Sequence, residues 1–532
     1  MKKTSLLFGF LAGGLSALVV VLLNYIANAL FGLPRVAFEI FDWMTRVLPG
    51  GLLTFTIDTI VSLITRLNVG PTSVVAKQVE LTIAILQFLA IGAVFGLILA
   101  FIGRRTSVPL TRYGLVGGLL IALVPVLIVA GEGFKLLPFL WILFVYGLWG
   151  WLLGGLIQVA PAQEATRVSG LSRRQFLWIS GLGSAAVVVT AAGVKLLSQP
   201  ESQAPAISPT ELDALATAAN TSGPAQSPPV AELQARRPPT PGTRPELTSN
   251  ADFYRIDINT MPPAINAQEW QLELTGLVEK PMTLTLDELR ARPAYSQAIT
   301  LECISNPIGG DLTSTAVWTG LRLKDLLDEA GLKSGALEVA IESIDGFYES
   351  VPLDEAMDER TLLVYEMNAE PLPIGHGFPL RIYIPNHFGM KQPKWITRME
   401  VIDHEGKGYW VERGWSATAV PPTTSVIDTV SRYAEIQGFS AGGIAYSGAR
   451  GISRVEVRVD NGEWVAAELR DPPLSPLTWV QWRYDWQPEP GPHTIEVRAY
   501  DGSGELQSSD ERPPHPNGAT GINSWNVTTS GS

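Results

Sequence analysis

The sequence predicts a multi-domain protein: an α-helical membrane region, then an α+β domain, then a C-terminal β-sandwich. Three observations carry this reading. Hydrophobic residues make up 46% of the 532 residues and charged residues only 17%, and the long uncharged apolar runs fall within the first 200 positions. Between 250 and 411, short alternating strands interleave with short helices rather than following a doubly wound pattern. Beyond 412, alternating runs are punctuated by Asp-Gly and Asp-Asn-Gly turns.

The membrane region comes first. Met1-Lys2-Lys3 precedes an apolar run over 5–31, and further runs of spanning length cover 81–102, 113–130, 137–159 and 176–197. The stretch 51–67 is short and carries Asp58 and Arg66, so it is read as interfacial or re-entrant, with a sixth span as the alternative. With five spans, Lys2-Lys3, Arg104-Arg105 with Arg112, and Arg167 with Arg173-Arg174 fall on one side. The positive-inside rule makes that side cytoplasmic and puts everything after the last span outside. Ser172-Arg173-Arg174-Gln175-Phe176-Leu177 matches a twin-arginine export signal, although two arginines flanking a helix also satisfy the charge rule alone. Residues 1–160 are thus expected to hold about four transmembrane helices, and 161–200 the twin-arginine motif and a fifth. Residues 201–249, rich in Pro, Ala, Ser, Thr and Gln, read as a flexible linker.

Two function classes fall away early. A net charge of −12 argues against nucleic acid as a partner. All five histidines (376, 387, 404, 493, 515) and the single cysteine lie in the later part of the chain. Haem held between two helical histidines and iron–sulfur ligation are therefore excluded from the membrane region.

The soluble part opens with Phe253-Tyr254-Arg255-Ile256-Asp257. Residues 270–274 alternate as a strand, and 284–290 read as a short helix capped by Thr285 or Asp287. A helix is expected over 323–330, and strands over 339–343 and 361–366. No phosphate-binding G-x-G-x-x-G follows a strand and no Walker loop occurs, so nucleotide cofactors are not expected. The most informative stretch is Leu301 to Gly320. An apolar extended run delivers Cys303 to Ser305-Asn306-Pro307 and then Gly309-Gly310, placing the thiol at a loop mouth where backbone approaches a ligand closely. A lone cysteine is more often a small buried hydrophobe, and its surroundings argue for more.

Cys303 with Ser305-Asn306, Gly309-Gly310 and Trp318-Thr319-Gly320 resembles the core signature of the sulfite oxidase family of molybdopterin enzymes, over roughly residue 251 to the C-terminus. The resemblance extends to the periplasmic protein-methionine-sulfoxide reductase. It implies a molybdenum-molybdopterin cofactor with Cys303 as the metal ligand, and a soft thiolate suits such a centre. His376-Gly377-Phe378-Pro379-Leu380-Arg381, with Lys391 and Lys394-Trp395, resembles the family's pterin-binding segment. By that resemblance His376 and Arg381 hold the cofactor and Lys394 lies at its phosphate, a dianion that a guanidinium clamps and an ammonium neutralises. Tyr254, Arg255 and Ser343 would be further cofactor contacts. A surface loop, core packing and strand filling are the plain alternatives for these positions.

In the C-terminal region, Val455, Val457 and Val459 alternate with charges before Asp460-Asn461-Gly462, and Ile495, Val497 and Ala499 repeat the pattern. Residues 412–532 resemble the family's immunoglobulin-like dimerisation domain, implying a possible homodimer. Arg450 matches an arginine that reaches the anion pocket and is counted with Cys303 as catalytic; a solvated loop arginine is the alternative. Residues 250–411 are expected to be the molybdopterin-binding domain. The expected function is two-electron oxygen-atom transfer on a small sulfur compound such as sulfite, by an enzyme in the cell membrane whose catalytic domain faces outside the cytoplasm. A separate electron carrier, a cytochrome or quinone-linked protein, completes the reaction. Reduction of a sulfoxide or another oxyanion is the alternative, and a tethered non-catalytic binding protein is the alternative of another class.

Overall fold

The computed structural model describes residues 5–67, 69–131, 136–159, 230–433 and 436–529. The twin-arginine motif, the span expected over 176–197 and the linker up to residue 229 lie outside these described residues. The chain divides into two compact units, the first containing Met1–Leu48, Lys77–Ala204 and Asn259–Met261, the second Pro49–Ala76, Pro205–Ile258 and Pro262–Ser532.

The helices before residue 160 are α1 (Leu6–Phe31), α2 (Val36–Val47), α3 (Gly50–Leu67), α4 (Thr72–Gly103), α5 (Leu110–Gly131) and α6 (Leu136–Val159). Five, all but α2, are long and apolar enough to cross a membrane, and α3 has the lowest mean hydropathy of them at 1.3. In the first unit the helices are locked by glycine pairs four residues apart. A Cβ on Gly13 of α1 would stand 2.1 Å from the Gly92 carbonyl oxygen of α4, and one on Gly114 of α5 would stand 2.0 Å from the Gly150 oxygen of α6. Such small-residue ridges let backbones touch where no hydrophobic force between helices operates. Side-chain hydrogen bonds add to this: the Trp141 indole donates to Asn24 Oδ1 at 3.0 Å and the Trp149 indole to Ser16 Oγ at 2.9 Å.

The second unit is β-rich. Its strands are β1 (Gln271–Gly276), β2 (Met282–Thr285), β3 (Tyr295–Glu302), β4 (Thr313–Arg322), β5 (Glu338–Ser343), β6 (Tyr348–Pro352), β7 (Leu362–Met367), β8 (Glu370–Pro371), β9 (Arg381–Tyr383) and β10 (Ile396–Ile402). One sheet runs β2-β1-β10-β5-β6, with β1 and β10 parallel; a second runs β3-β4-β7-β8, with β9 also on β7. The helix Leu323–Ala330 turns Leu323, Leu326, Leu327 and Ala330 into the core, each leucine contributing roughly 2 kcal/mol by burial. Thr285 caps the helix Leu286–Arg290 in a reciprocal capping box with Glu288.

The C-terminal strands are β11 (Thr424–Tyr433), β12 (Gly438–Tyr446), β13 (Ile452–Val459), β14 (Val465–Ala466), β15 (Glu468–Leu469), β16 (Val480–Trp486), β17 (Gly491–Asp501) and β18 (Asn523–Thr529). They form two antiparallel four-stranded sheets, β11-β12-β16-β15 and β14-β13-β17-β18. Ile427, Ala441 and Trp482 of one share a core with Val455, Val497 and Ala499 of the other, which makes a β-sandwich. Asp460 and Asn461 take φ of 52° and 58° at the hairpin, a conformation their short polar side chains tolerate. Residues 230–249, assigned to the linker by composition, are packed: Leu233 and Leu247 are buried and Arg236 pairs with Glu246 at 2.6 Å.

Candidate active site

Strand β3 is buried over its last six residues and carries the chain straight to Cys303. The loop that follows is tied down by Asn306, whose side-chain oxygen accepts from the Leu312 amide at 3.0 Å. Its amide nitrogen donates to Glu302 at 2.9 Å and Thr313 at 3.0 Å. Gly309 needs its φ of 77°, and a Cβ on Gly310 would lie 2.3 Å from the Asn306 oxygen, so the glycine pair is required by conformation and by contact. The result is a rigid mount for the Cys303 sulfur, 3.0 Å from Ser305 Oγ. Burial raises the Cys303 pKa, and the Ser305 hydrogen bond opposes that shift.

Cys303 opens onto a cavity of about 890 Å³ of empty space, solvent at its mouth included, within the range of small-ligand sites. Besides Cys303, the walls include Ser305 and the clustered Ile304, Met390, Trp410 and Trp415. The basic residues on the lining are His376, Arg381 and Lys394, and the acidic ones are Asp257 and Asp345. His376 ends the turn Ile374–His376, Arg381 opens β9, and Lys394 precedes β10, so three non-contiguous segments converge. Arg381 donates to the His376 carbonyl at 3.1 Å, with its guanidinium 4.7 Å from the Trp318 ring centroid. Lys394 donates to the carbonyls of Gly375 at 3.2 Å and Ile256 at 3.3 Å and is ion-paired with Asp257. Burial pushes Arg381 down to about 10 and His376 down to about 3, the latter helped by the Lys394 and Arg381 charges; burial likewise lowers Lys394 despite Asp257. Desolvated cations facing a cavity favour an anion, whose charge offsets the cost of burying theirs.

The other expected residues divide. Tyr254 is buried on the cavity wall with its hydroxyl beside Gly389. Arg255 lies off the lining, its Nε 3.1 Å from Asp257. Ser343 also lies off the lining, with a buried hydroxyl that has no hydrogen-bond partner. Arg450 is outside the cavity: it donates to Asp501 at 3.2 Å, Asn386 at 3.3 Å, the Pro421 carbonyl at 2.7 Å and Ser447 at 2.6 Å. Sequence reasoning did not single out Asp257, whose side chain is fully buried between Arg255 and Lys394. Nor did it find Ile57, a wall residue from α3. The donor set, a soft sulfur and a cationic cradle on one cavity, fits a molybdopterin.

A family model described as "Oxidoreductase molybdopterin binding domain" matches residues 259–410. Residues 259–410 match that family, and the chain around them is similar to sulfite oxidases. It is 29% identical to a sulfite oxidase of Arabidopsis thaliana over 42% of this chain and 70% of that one. It is 32% identical to a mitochondrial sulfite oxidase of Drosophila melanogaster over 42% of this chain and 47% of that one. It is 29% identical to an uncharacterized oxidoreductase, YuiH, of Bacillus subtilis, over 33% of this chain and 87% of that one. The chain thus spans only about half the length of the animal relative. Among solved structures, the sulfane dehydrogenase SoxCD from Paracoccus pantotrophus aligns with a TM-score of 0.47 and 22% identity, over 56% of this chain and 83% of that one. The matched domain makes the protein a molybdenum oxidoreductase with a molybdenum-molybdopterin cofactor.

Proposed function

We propose that this protein is a membrane-anchored oxidoreductase that moves an oxygen atom, with two electrons, on a small sulfur compound outside the cytoplasm. One observation carries the reading: the only thiol of the chain and the buried cations Arg381 and Lys394 open onto the same cavity. The bound cofactor supplies the oxygen-atom transfer itself. In the oxidising direction the substrate sulfur gains one oxygen derived from water, and two protons and two electrons leave to an external acceptor; the reducing direction is the reverse.

The chain's own residues place and insulate that chemistry. Cys303 is the metal ligand, held by the Asn306-braced loop so that its sulfur needs no reorganisation. Arg381 and Lys394 would hold the pterin phosphate. Neutral His376 donates through Nε2 to the Asn250 carbonyl, 3.1 Å away, which orients its ring against the pterin. Tyr254 lines the pterin slot, while Arg255 acts through Asp257 and Ser343 offers its unpartnered hydroxyl. Arg450, spent on four partners, braces the sandwich-side loop instead of gripping substrate. The β-sandwich serves as an immunoglobulin-like pairing domain for a homodimer, and a separate cytochrome or quinone-linked carrier takes the electrons.

The test is the full chain purified with cofactor, assayed for molybdenum and, with artificial dyes, for sulfite oxidation against sulfoxide reduction. About one molybdenum per chain and loss of turnover in Cys303→Ser are expected. A Cys303→Ser protein with full activity refutes the ligand assignment.

A further inference from the structure

The helix α3 belongs to the second unit even though helices long enough to span a membrane precede and follow it. It is fixed at both ends. At its start, a Cβ on Gly50 would lie 2.9 Å from the Arg413 backbone, so the helix rests on the turn Val411–Arg413, between Trp410 and Trp415. Past its end, the Thr72 amide donates to the Asp311 carboxylate at 2.8 Å, next to Gly309-Gly310 of the cysteine loop. Between these anchors Val61 is buried in the same apolar cluster as Cys303, and Ile57 is on the cavity lining. We infer that α3 is a wall of the molybdenum pocket and that Ile57, with Trp410 and Trp415, selects an uncharged, apolar-substituted substrate over a small oxyanion. This rests on the oxygen-transfer reading above and narrows its substrate class.

The charge inventory points the same way. Among the described lining residues, the two cations Arg381 and Lys394 are matched by the two acids Asp257 and Asp345. A cofactor phosphate takes up both cations. An oxyanion substrate would then be desolvated against indole, isoleucine and methionine with no cation left to it among the described lining residues, which costs far more than a neutral molecule of similar size. An uncharged substrate with an apolar group instead buries that group against α3 and the two tryptophans.

Cys303 is the only cysteine in the chain, so its labelling reports the pocket directly. In cofactor-free full-length protein in detergent, the rates of Cys303 modification by an anionic and a cationic methanethiosulfonate are measured. Ile57→Arg should raise the anionic-to-cationic rate ratio about tenfold and Ile57→Glu should lower it about tenfold, the effect of a unit charge within a few ångströms in a partly desolvated site. Ile57→Gln should leave it within about twofold, and either charged variant suffices if the other does not fold. Ratios unmoved by both charges, or a wild-type thiol inert to both reagents, overturn the wall assignment. In the loaded enzyme, with one dye as electron acceptor for both, wild type should oxidise methyl phenyl sulfide in preference to sulfite, and Ile57→Arg should shift the kcat/KM ratio toward sulfite at least about tenfold. Wild-type preference for sulfite overturns the substrate class. Labelling that behaves as expected in a protein that binds no molybdenum would instead strike the functional reading and leave the wall in place.

Discussion

Replacing Arg381 with methionine separates a cofactor-holding arginine from a structural one, because the two roles predict opposite signs. The Arg381 side chain is buried, makes one hydrogen bond to a carbonyl and stacks over Trp318. Burial lowers its pKa from the ordinary arginine value to about 10. At about 1.4 kcal/mol per pH unit, carrying the charge costs the folded protein on the order of 3 kcal/mol. The folded pKa lies below the unfolded one, so this cost is fully present below about pH 10 and is relieved only as pH rises from there toward the unfolded arginine's value. At neutral pH Arg381→Met removes the cost, and gives up about 1 kcal/mol for the hydrogen bond and about 1 kcal/mol for the ring contact. Cofactor-free Arg381→Met should therefore match wild type within about 1 kcal/mol or exceed it in urea unfolding followed by tryptophan fluorescence. The same variant, expressed with cofactor available, should retain at most about a tenth of the molybdenum, since a buried charge-assisted phosphate contact is lost. A cofactor-free variant destabilised by more than about 3 kcal/mol, together with undiminished molybdenum, refutes the reasoning.

Three further outcomes follow from the geometry. His376, pushed down to about 3 mainly by burial, stays neutral where the unfolded chain takes up a proton below about 6.5, so its share of stability is lost as pH falls through that window. At pH 5.5 the loss should be about 1 kcal/mol, and His376→Asn should flatten that part of the stability–pH curve of the cofactor-free protein. Thr285→Ala should cost about 1 kcal/mol by removing the capping box, seen as a lower unfolding midpoint with unchanged cofactor content. Gly13→Leu should abolish the close approach of α1 and α4, because even a Cβ there falls 2.1 Å from a backbone oxygen; the expected readout is loss of monodisperse full-length protein on size exclusion in detergent.

What the sequence made legible shares one trait: the signal was local. The helix Leu323–Ala330, the Thr285 cap, the Asp460-Asn461-Gly462 hairpin and the strand leading to Cys303 each depend on residues within a few positions of one another. Four of the apolar spans were likewise plain from composition, and four of the long apolar helices among the described residues coincide with them. The cradle of His376, Arg381 and Lys394 was legible because the three sit within nineteen consecutive positions. What escaped was long-range. Asp257 is 137 positions from the lysine it neutralises, and nothing in its own neighbourhood announces the pairing. The glycine ridges of α1 with α4 and α5 with α6 acquire meaning only when two helices are known to face each other. Arg450 stands in the expected motif, yet Asn386 and Asp501, remote in sequence, capture its guanidinium.

The stretch 51–67 shows why a periodic apolar run does not by itself assign an environment. Its composition suits a membrane interface, and it contributes Thr54, Val61 and Ile64 as buried residues while Leu52, Phe55, Leu63 and Leu67 stay exposed. A helix with apolar residues on opposite sides needs two apolar surroundings, and here one of them is the wall beside Cys303. If α3 is the wall inferred above, Val61 and Ile57 must stay with the Cys303 cluster, although the helix is also long and apolar enough to cross a membrane. Variants that charge Ile57 test that wall through a single side chain.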